Sequence, residues 1–130
     1  MNTPSKEDII RIKIAKAIRT LSEAKKMMEF NYSNAALNRL YYACFYAATA
    51  LLFSKDIFTK TYTGVKQMLG LHFISSRQLS MAFRQFYGNI FRSRQGYDYD
   101  DFADADMEMV KDFAAIAKEF VNESRKILQV

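Results

Sequence analysis

Arg94 is the residue whose position in this chain most needs a chemical reason. Leu79, Phe83, Phe86 and Ile90 recur at helical spacing, and one further turn of the same stripe reaches Arg94. A guanidinium that continues a core stripe must be compensated, because burying a lone charge is costly. The chemistry open to it is electrostatic. It can hold an acid of its own chain, with Asp98 and Asp101 close behind, or the charge of a ligand. Arg92 falls on roughly the opposite side of that helix, with Gly88 and Gln85. A second polar set lies earlier. Asn38, Arg39, Tyr42, Tyr46 and Thr49 share one face of the stretch 35–53, whose only formal charge is Arg39. Such a face can form a buried hydrogen-bond network that fixes helix packing.

Other chemistry is poorly supplied. Cys44 is the only cysteine, so an intrachain disulfide or a cysteine-based zinc site is excluded. The chain has no Gly-rich phosphate loop and no nucleophile elbow. A di-iron bundle needs Glu-x-x-His on two helices. His72 is the single histidine and has Leu69 three residues before it. Ser75 and Ser76 lie near His72, but nothing in their spacing supports a Ser-His-Asp arrangement. The expectation is no metal and no cofactor, with His72 a surface or partly packed residue.

The elements that must position these residues are helical. One proline and four glycines among 130 residues leave little to interrupt long helices. The first is predicted over 5–30, with Ser5 and Asp8 resembling a capping box and Ile10, Ile14, Ala17, Leu21, Ala24 and Met28 as its apolar stripe. Lysines and arginines surround that stripe, and a core-facing helix is favoured over a membrane-surface one. The connection 31–34 offers Ser33 or Asn34 as a cap for the second helix. There Leu37, Leu40, Cys44, Ala47, Ala48 and Leu51 face one way and the polar set faces the other. A helix covered on both sides is expected to be central. Residues 55–63 read as a loop, with Thr63 capping a short third helix that runs to about Phe73. The fourth helix is predicted over 79–95, ended by Gly96, with 97–101 an acidic, aromatic turn. Asp104 or Asp106 should cap the fifth, whose stripe is Met109, Phe113, Ile116, Ala117, Phe120 and Ile127. The expected fold is all-α: an up-and-down four-helix bundle with one additional short helix, a single domain over residues 1–130. Surplus aromatics on the second and fourth helices leave apolar surface for a second subunit.

Nineteen basic residues against fourteen acidic ones give a net charge of +5. Six of the acids fall within 98–108, so the rest is more basic than the mean. That balance suits plain solubility and also permits a polyanionic partner such as RNA or a nucleotide. The start of the chain has no secretory apolar run, and the fourteen-residue run 40–53 is short for a membrane span. The expected location is the cytoplasm, with no membrane partner.

Three stretches carry a family resemblance: Asn38-Arg39-Leu40-Tyr41-Tyr42-Ala43-Cys44-Phe45-Tyr46-Ala47-Ala48, Lys60-Thr61-Tyr62-Thr63-Gly64-Val65 and Arg94-Gln95-Gly96-Tyr97-Asp98-Tyr99-Asp100. In this order they resemble the HEPN family (higher eukaryotes and prokaryotes nucleotide-binding), closest to its small single-domain bacterial and archaeal branch. The match covers roughly 5–123. The first resembles the family's second-helix signature. The second resembles a Lys-Thr-His-Ser-Gly loop, with Tyr62 in place of the histidine. The third resembles an Arg-x-x-x-Asp-Tyr ending.

The resemblance implies a bundle that often dimerises, here a homodimer. It implies RNA or nucleotide binding and a class that includes metal-independent ribonucleases. Many members are toxins restrained by a minimal nucleotidyltransferase antitoxin. Active members carry an arginine, four to six residues, then a histidine, near the end of the fourth helix. Arg94 matches the arginine, and Tyr99 stands at the histidine position. Metal-free cleavage of RNA needs a 2′-hydroxyl activated, a leaving oxygen protonated and phosphorane charge stabilised. Arg94 suits the last task, with Tyr99 and Asp98 beside it for the proton steps. Free tyrosine titrates near 10, which makes Tyr99 a donor or a phosphate holder rather than a base. Asn38, Arg39, Tyr42 and Tyr46 would join Arg94 in a nucleotide or phosphate pocket, or Arg39 would sit at a dimer seam. The alternative is a non-catalytic helical interaction module nucleotidylated on Tyr97 or Tyr99. The family's modified tyrosine lies two residues past the histidine, which falls here on Asp101.

Overall fold

The computed structural model describes residues 3–99 and 104–130; for Asp98 and Tyr99 it describes the backbone alone. Five α-helices follow one another: α1 (Lys6–Glu29), α2 (Ser33–Ser54), α3 (Tyr62–Leu69), α4 (Met81–Tyr99) and α5 (Met107–Leu128). A five-residue π turn, Gly70–Ile74, continues α3. Among the described residues there is no strand, and no helix is long and apolar enough to cross a membrane.

α1 starts as its sequence predicts. The Ser5 hydroxyl accepts from the Asp8 amide, and the Asp8 carboxylate accepts from the Ser5 amide, each at 3.1 Å. That bonding to Ser5 holds the Asp8 carboxyl below its ordinary pKa. Ile10, Ile14, Ala17 and Ala24 are buried along the predicted stripe.

α2 is the central helix and touches all four others. Leu37, Leu40, Cys44, Ala47, Ala48 and Leu51 are each at most 1% exposed, so one face is wholly core. The opposite face, with Asn38, Arg39, Tyr42, Tyr46 and Thr49, is half-buried. Neither Ser33 nor Asn34 caps α2. The N-cap is Tyr32, which makes no side-chain cap bond. Asn34 is engaged elsewhere: its amide donates to Asp104 (3.3 Å), and its carbonyl accepts from the Ala105 amide (2.8 Å). These bonds tie the start of α5 to the start of α2. Asp106 then caps α5 by accepting from the Glu108 amide. The buried ridge of α5 runs through Val110, Ala117, Phe120, Val121 and Ser124, so Met109, Phe113, Ile116 and Ile127 lie on its flank, half-buried.

The α3 start also departs from expectation. Thr61, not Thr63, is the cap, and its hydroxyl accepts from the Gly64 amide at 3.0 Å. Gly64 is required by space: a Cβ there would lie 2.2 Å from the Thr59 hydroxyl and 2.8 Å from that of Thr61. Gly88 of α4 is buried rather than outward-facing beside Arg92. A Cβ on it would meet the Tyr62 hydroxyl and the Lys66 ammonium, both at 3.1 Å, so its bareness lets α3 settle on α4.

Gly96 does not end α4. No glycine here has positive φ; among the described residues the left-handed positions are Asn31, Asp56, Arg77 and Gln129. The helix runs through Gly96 to Tyr99, with Tyr97 half-buried against the core. Residues 97–99 are therefore helix rather than turn, and Asp100 and Asp101 lie outside the described residues. Gly96 has open space where a Cβ would be. Gly96→Ala should accordingly stabilise the protein by about 0.5–1 kcal/mol, the gain expected at an exposed helical glycine. Thermal unfolding checks this, and a loss of stability would restore the left-handed cap.

Candidate functional site

The aromatic block of α2 builds the site. Tyr41 and Tyr42 are consecutive, so they project about 100° apart. Tyr41 turns into the core and is 4% exposed, 5.8 Å from the Tyr87 ring and 5.6 Å from that of Phe91. Tyr42 stays half-buried, with its ring 5.2 Å from Tyr41. Arg94 of α4 comes down on this pair. Its guanidinium carbon is 4.9 Å from the Tyr41 ring centre, 5.4 Å from that of Tyr42 and 5.9 Å from that of Phe91. All three lie within cation–π range. Arg94 is thus half-buried, as its register predicts.

Arg39 reaches Tyr42 as well, at 5.5 Å. Asn38 accepts a hydrogen bond from Arg39 at 3.0 Å, and Glu23 of α1 pairs with Arg39 at 3.6 Å. That ion pair is exposed enough for solvent to screen it, so it steers Arg39 more than it stabilises the fold. Tyr46 lies one turn along α2, 6.1 Å from Tyr42, with the Lys16 ammonium 4.5 Å from its ring. The structure therefore brings Arg39, Tyr42 and Arg94 together, with Asn38 as Arg39's partner and Tyr46 as the next step along the face. Asp98 stands one helical turn beyond Arg94, and Tyr99 follows it. Their side chains, and all of Asp101, lie outside the described residues.

Four contributors were not read from the sequence: Tyr41, Phe91, Tyr87 and Tyr62. Tyr41 was visible in the Tyr-Tyr-Ala block, but the helical wheel singled out only its neighbour. Tyr62 packs its ring 3.7 Å from Phe91 and 5.6 Å from Tyr87. It backs the platform on which Arg94 rests.

Burial raises the pKa of the Tyr41 hydroxyl; the neighbouring Tyr87 hydroxyl and the charge of Arg94 partly oppose the shift. Burial pushes the Tyr87 hydroxyl up much further, and neighbouring Tyr41 adds to it. The Tyr87 hydroxyl lies beside that of Tyr41 without reaching good hydrogen-bond geometry. Complete burial likewise raises the Cys44 thiol. These groups keep their protons near neutral pH, so the platform offers rings and guanidinium charge. That arrangement suits binding an anion or stabilising charge that develops on one.

The hydroxyls of Ser75 and Ser76 donate to backbone carbonyls of the π turn, and His72 is half-buried there. Among the described residues no cluster of acids, histidine or cysteine could hold a metal.

The HEPN domain profile matches residues 10–127. The chain belongs to the HEPN family. A UPF0332 protein of Thermotoga maritima is 29% identical over 124 residues, 95% of this chain and 94% of the relative. Two proteins of Methanocaldococcus jannaschii, both named as candidate toxins, are also similar. One is 28% identical over 88% of this chain and 78% of its own length, the other 31% over 76% and 73%. In this HEPN chain the second-helix signature thus supplies the ring platform and Arg39. The Lys-Thr-Tyr-Thr-Gly loop supplies the α3 cap and Tyr62.

The raised hydroxyls set a pH dependence. A tyrosine whose pKa is higher folded than unfolded stabilises the fold below its unfolded value, about 10, and loses that contribution as pH rises above it. Stability should therefore fall steeply above about pH 10. In an alkaline ultraviolet titration Tyr41 and Tyr87 should ionise last of the eight tyrosines, together with unfolding. Tyr87→Phe should remove one late transition; free titration of all eight while the protein stays folded would contradict the buried platform.

Proposed function

We propose that this chain is a toxin-like HEPN protein that acts on RNA without metal and is held in check by a partner, with Arg94 carrying the charge of the reacting phosphate. The observation behind this reading is the Arg94 guanidinium, held by two tyrosine rings of α2 beside a second guanidinium, Arg39. A preorganised cation at a partly covered corner is what developing phosphorane charge requires. The toxin names of the two archaeal relatives agree with this role.

In the reaction the 2′-oxygen of one ribose attacks the adjacent phosphorus, and the bond to the 5′-oxygen of the next nucleotide breaks. The 2′-hydroxyl gives up a proton and the leaving 5′-oxygen gains one, so the products are a 2′,3′-cyclic phosphate and a free 5′-hydroxyl. Arg94 stabilises the charge between these events. Asp98 and Tyr99, one turn on, are assigned the proton steps, with Tyr99 the better donor because its unperturbed pKa is near 10. The active species is proposed to be a homodimer in the cytoplasm, restrained by a nucleotidyltransferase-type partner.

A second reading has its own observation. Arg39 is turned toward α1 by Glu23, an arrangement equally suited to a subunit seam. In that case the protein is a non-catalytic interaction module. Nucleotidylation would then fall on Tyr97, which is half-buried against the core, or on Tyr99.

Purified protein should cleave unmodified RNA in the presence of EDTA and leave cyclic phosphate ends. Arg94→Ala should slow this by about 100-fold or more, the scale of losing one charge-stabilising group. Equal behaviour of wild type and Arg94→Ala would remove the enzyme reading and leave the interaction module.

A further inference from the structure

The loop after α2 folds back over the first half of α1 and walls a groove of about 830 Å³ against α2. Its cations come from two places. Lys13 and Lys16 stand one turn apart on α1, and Lys60 comes from the loop. Among the described residues that line the groove there is no aspartate or glutamate. Asp56, at the same end of α2, is already paired with Lys6 at 3.0 Å. Like charges gathered without an acid repel one another. Consistent with this, burial together with the charges of Lys60 and Lys16 lowers the pKa of the Lys13 ammonium.

Aromatic rings share the rest of the lining with isoleucines and threonines. Phe53 and Phe58 meet edge to face at 5.2 Å, and Phe58 remains 73% exposed. Lys13 lies 5.8 Å from the Phe53 ring and Lys16 lies 4.5 Å from the Tyr46 ring. Uncompensated lysines interleaved with an exposed ring are complementary to a chain that alternates phosphates with flat, stackable bases. A single strand meets lysines and rings with the same repeating unit, whereas an acidic peptide needs separate side chains for each.

The groove also leads somewhere. Tyr46 forms its rim and neighbours Tyr42, which carries both Arg39 and Arg94. From Phe53 back to Arg39 the α2 face runs about 21 Å at 1.5 Å per residue, a length that spans several nucleotides. We propose that this groove is a binding site for single-stranded RNA, separate from the Arg94 corner, in which Lys13, Lys16 and Lys60 hold phosphates and Phe58 stacks a base. The continuity with Arg94 rests on the functional reading above, whereas the charge and ring complementarity of the groove does not.

The test uses the full chain and a fluorescein-labelled single-stranded 2′-O-methyl oligoribonucleotide, which cannot be cleaved because its 2′-oxygens are blocked. Binding is read by anisotropy across a salt series. The double variant Lys13→Glu/Lys60→Glu should weaken binding by at least about tenfold and flatten the salt slope by about one or more. Phe58→Ala, a surface change that spares the core, should weaken it by about tenfold. Lys118→Glu, an exposed change on α5 outside the groove, should retain most of the affinity. The proposal is overturned if the single strand fails to bind, if duplex RNA binds equally well, or if the groove variants bind like wild type while their melting curves are unchanged. Absence of cleavage of unmodified RNA, with groove-dependent binding intact, would instead sink the ribonuclease reading and leave the groove standing.

Discussion

Arg94 keeps its charge at the edge of the core because α2 offers it aromatic faces. A guanidinium is planar and more weakly hydrated than an ammonium, so it can rest on rings at modest desolvation cost. Tyr41 and Tyr42 provide those rings only because α2 is fixed in both rotation and height. Its inner face is locked by leucines, alanines and Cys44, all nearly inaccessible to solvent. Tyr41 is in turn wedged against Tyr87 and Phe91 of α4, and Tyr62 of α3 closes the back of that stack. The corner is thus an outcome of packing among three helices, and each contributes a ring.

The small residues serve the same end. Gly88 lets Tyr62 and Lys66 approach α4, and Gly64 leaves room for the threonine hydroxyls that begin α3. Asn34 spans to Asp104 and Ala105, holding the start of α5 beside the start of α2 just after α4 has delivered Arg94. Motif positions in the Lys-Thr-Tyr-Thr-Gly loop are accounted for by capping and packing, with Lys60 left to the neighbouring groove.

Much of this was legible in the sequence because it is periodic or local. The Ser5–Asp8 box, the two-faced character of α2 and the inward register of Arg94 follow from spacing alone, and the all-α fold follows from them. Local signals misled where two neighbours offered the same chemistry. Thr61 and Thr63 both look like caps, and only the space around Gly64 decides between them. Gly96 resembled a helix end because glycine commonly ends helices, yet the apolar register continues to Tyr97. Contacts between distant segments had no signal at all. Glu23 with Arg39, Asn34 with Ala105, and Lys60 with Lys13 are brought together only by the fold.

The central claim is that the α2 rings hold the Arg94 guanidinium. A double-mutant cycle between Arg94→Gln and Tyr41→Leu, read by chemical denaturation, tests it most directly because the cavity left by the tyrosine cancels. A coupling energy of about 1 kcal/mol between the two changes is the predicted result. Effects that add within about 0.3 kcal/mol would contradict the account, since the arginine would then be positioned independently of the ring.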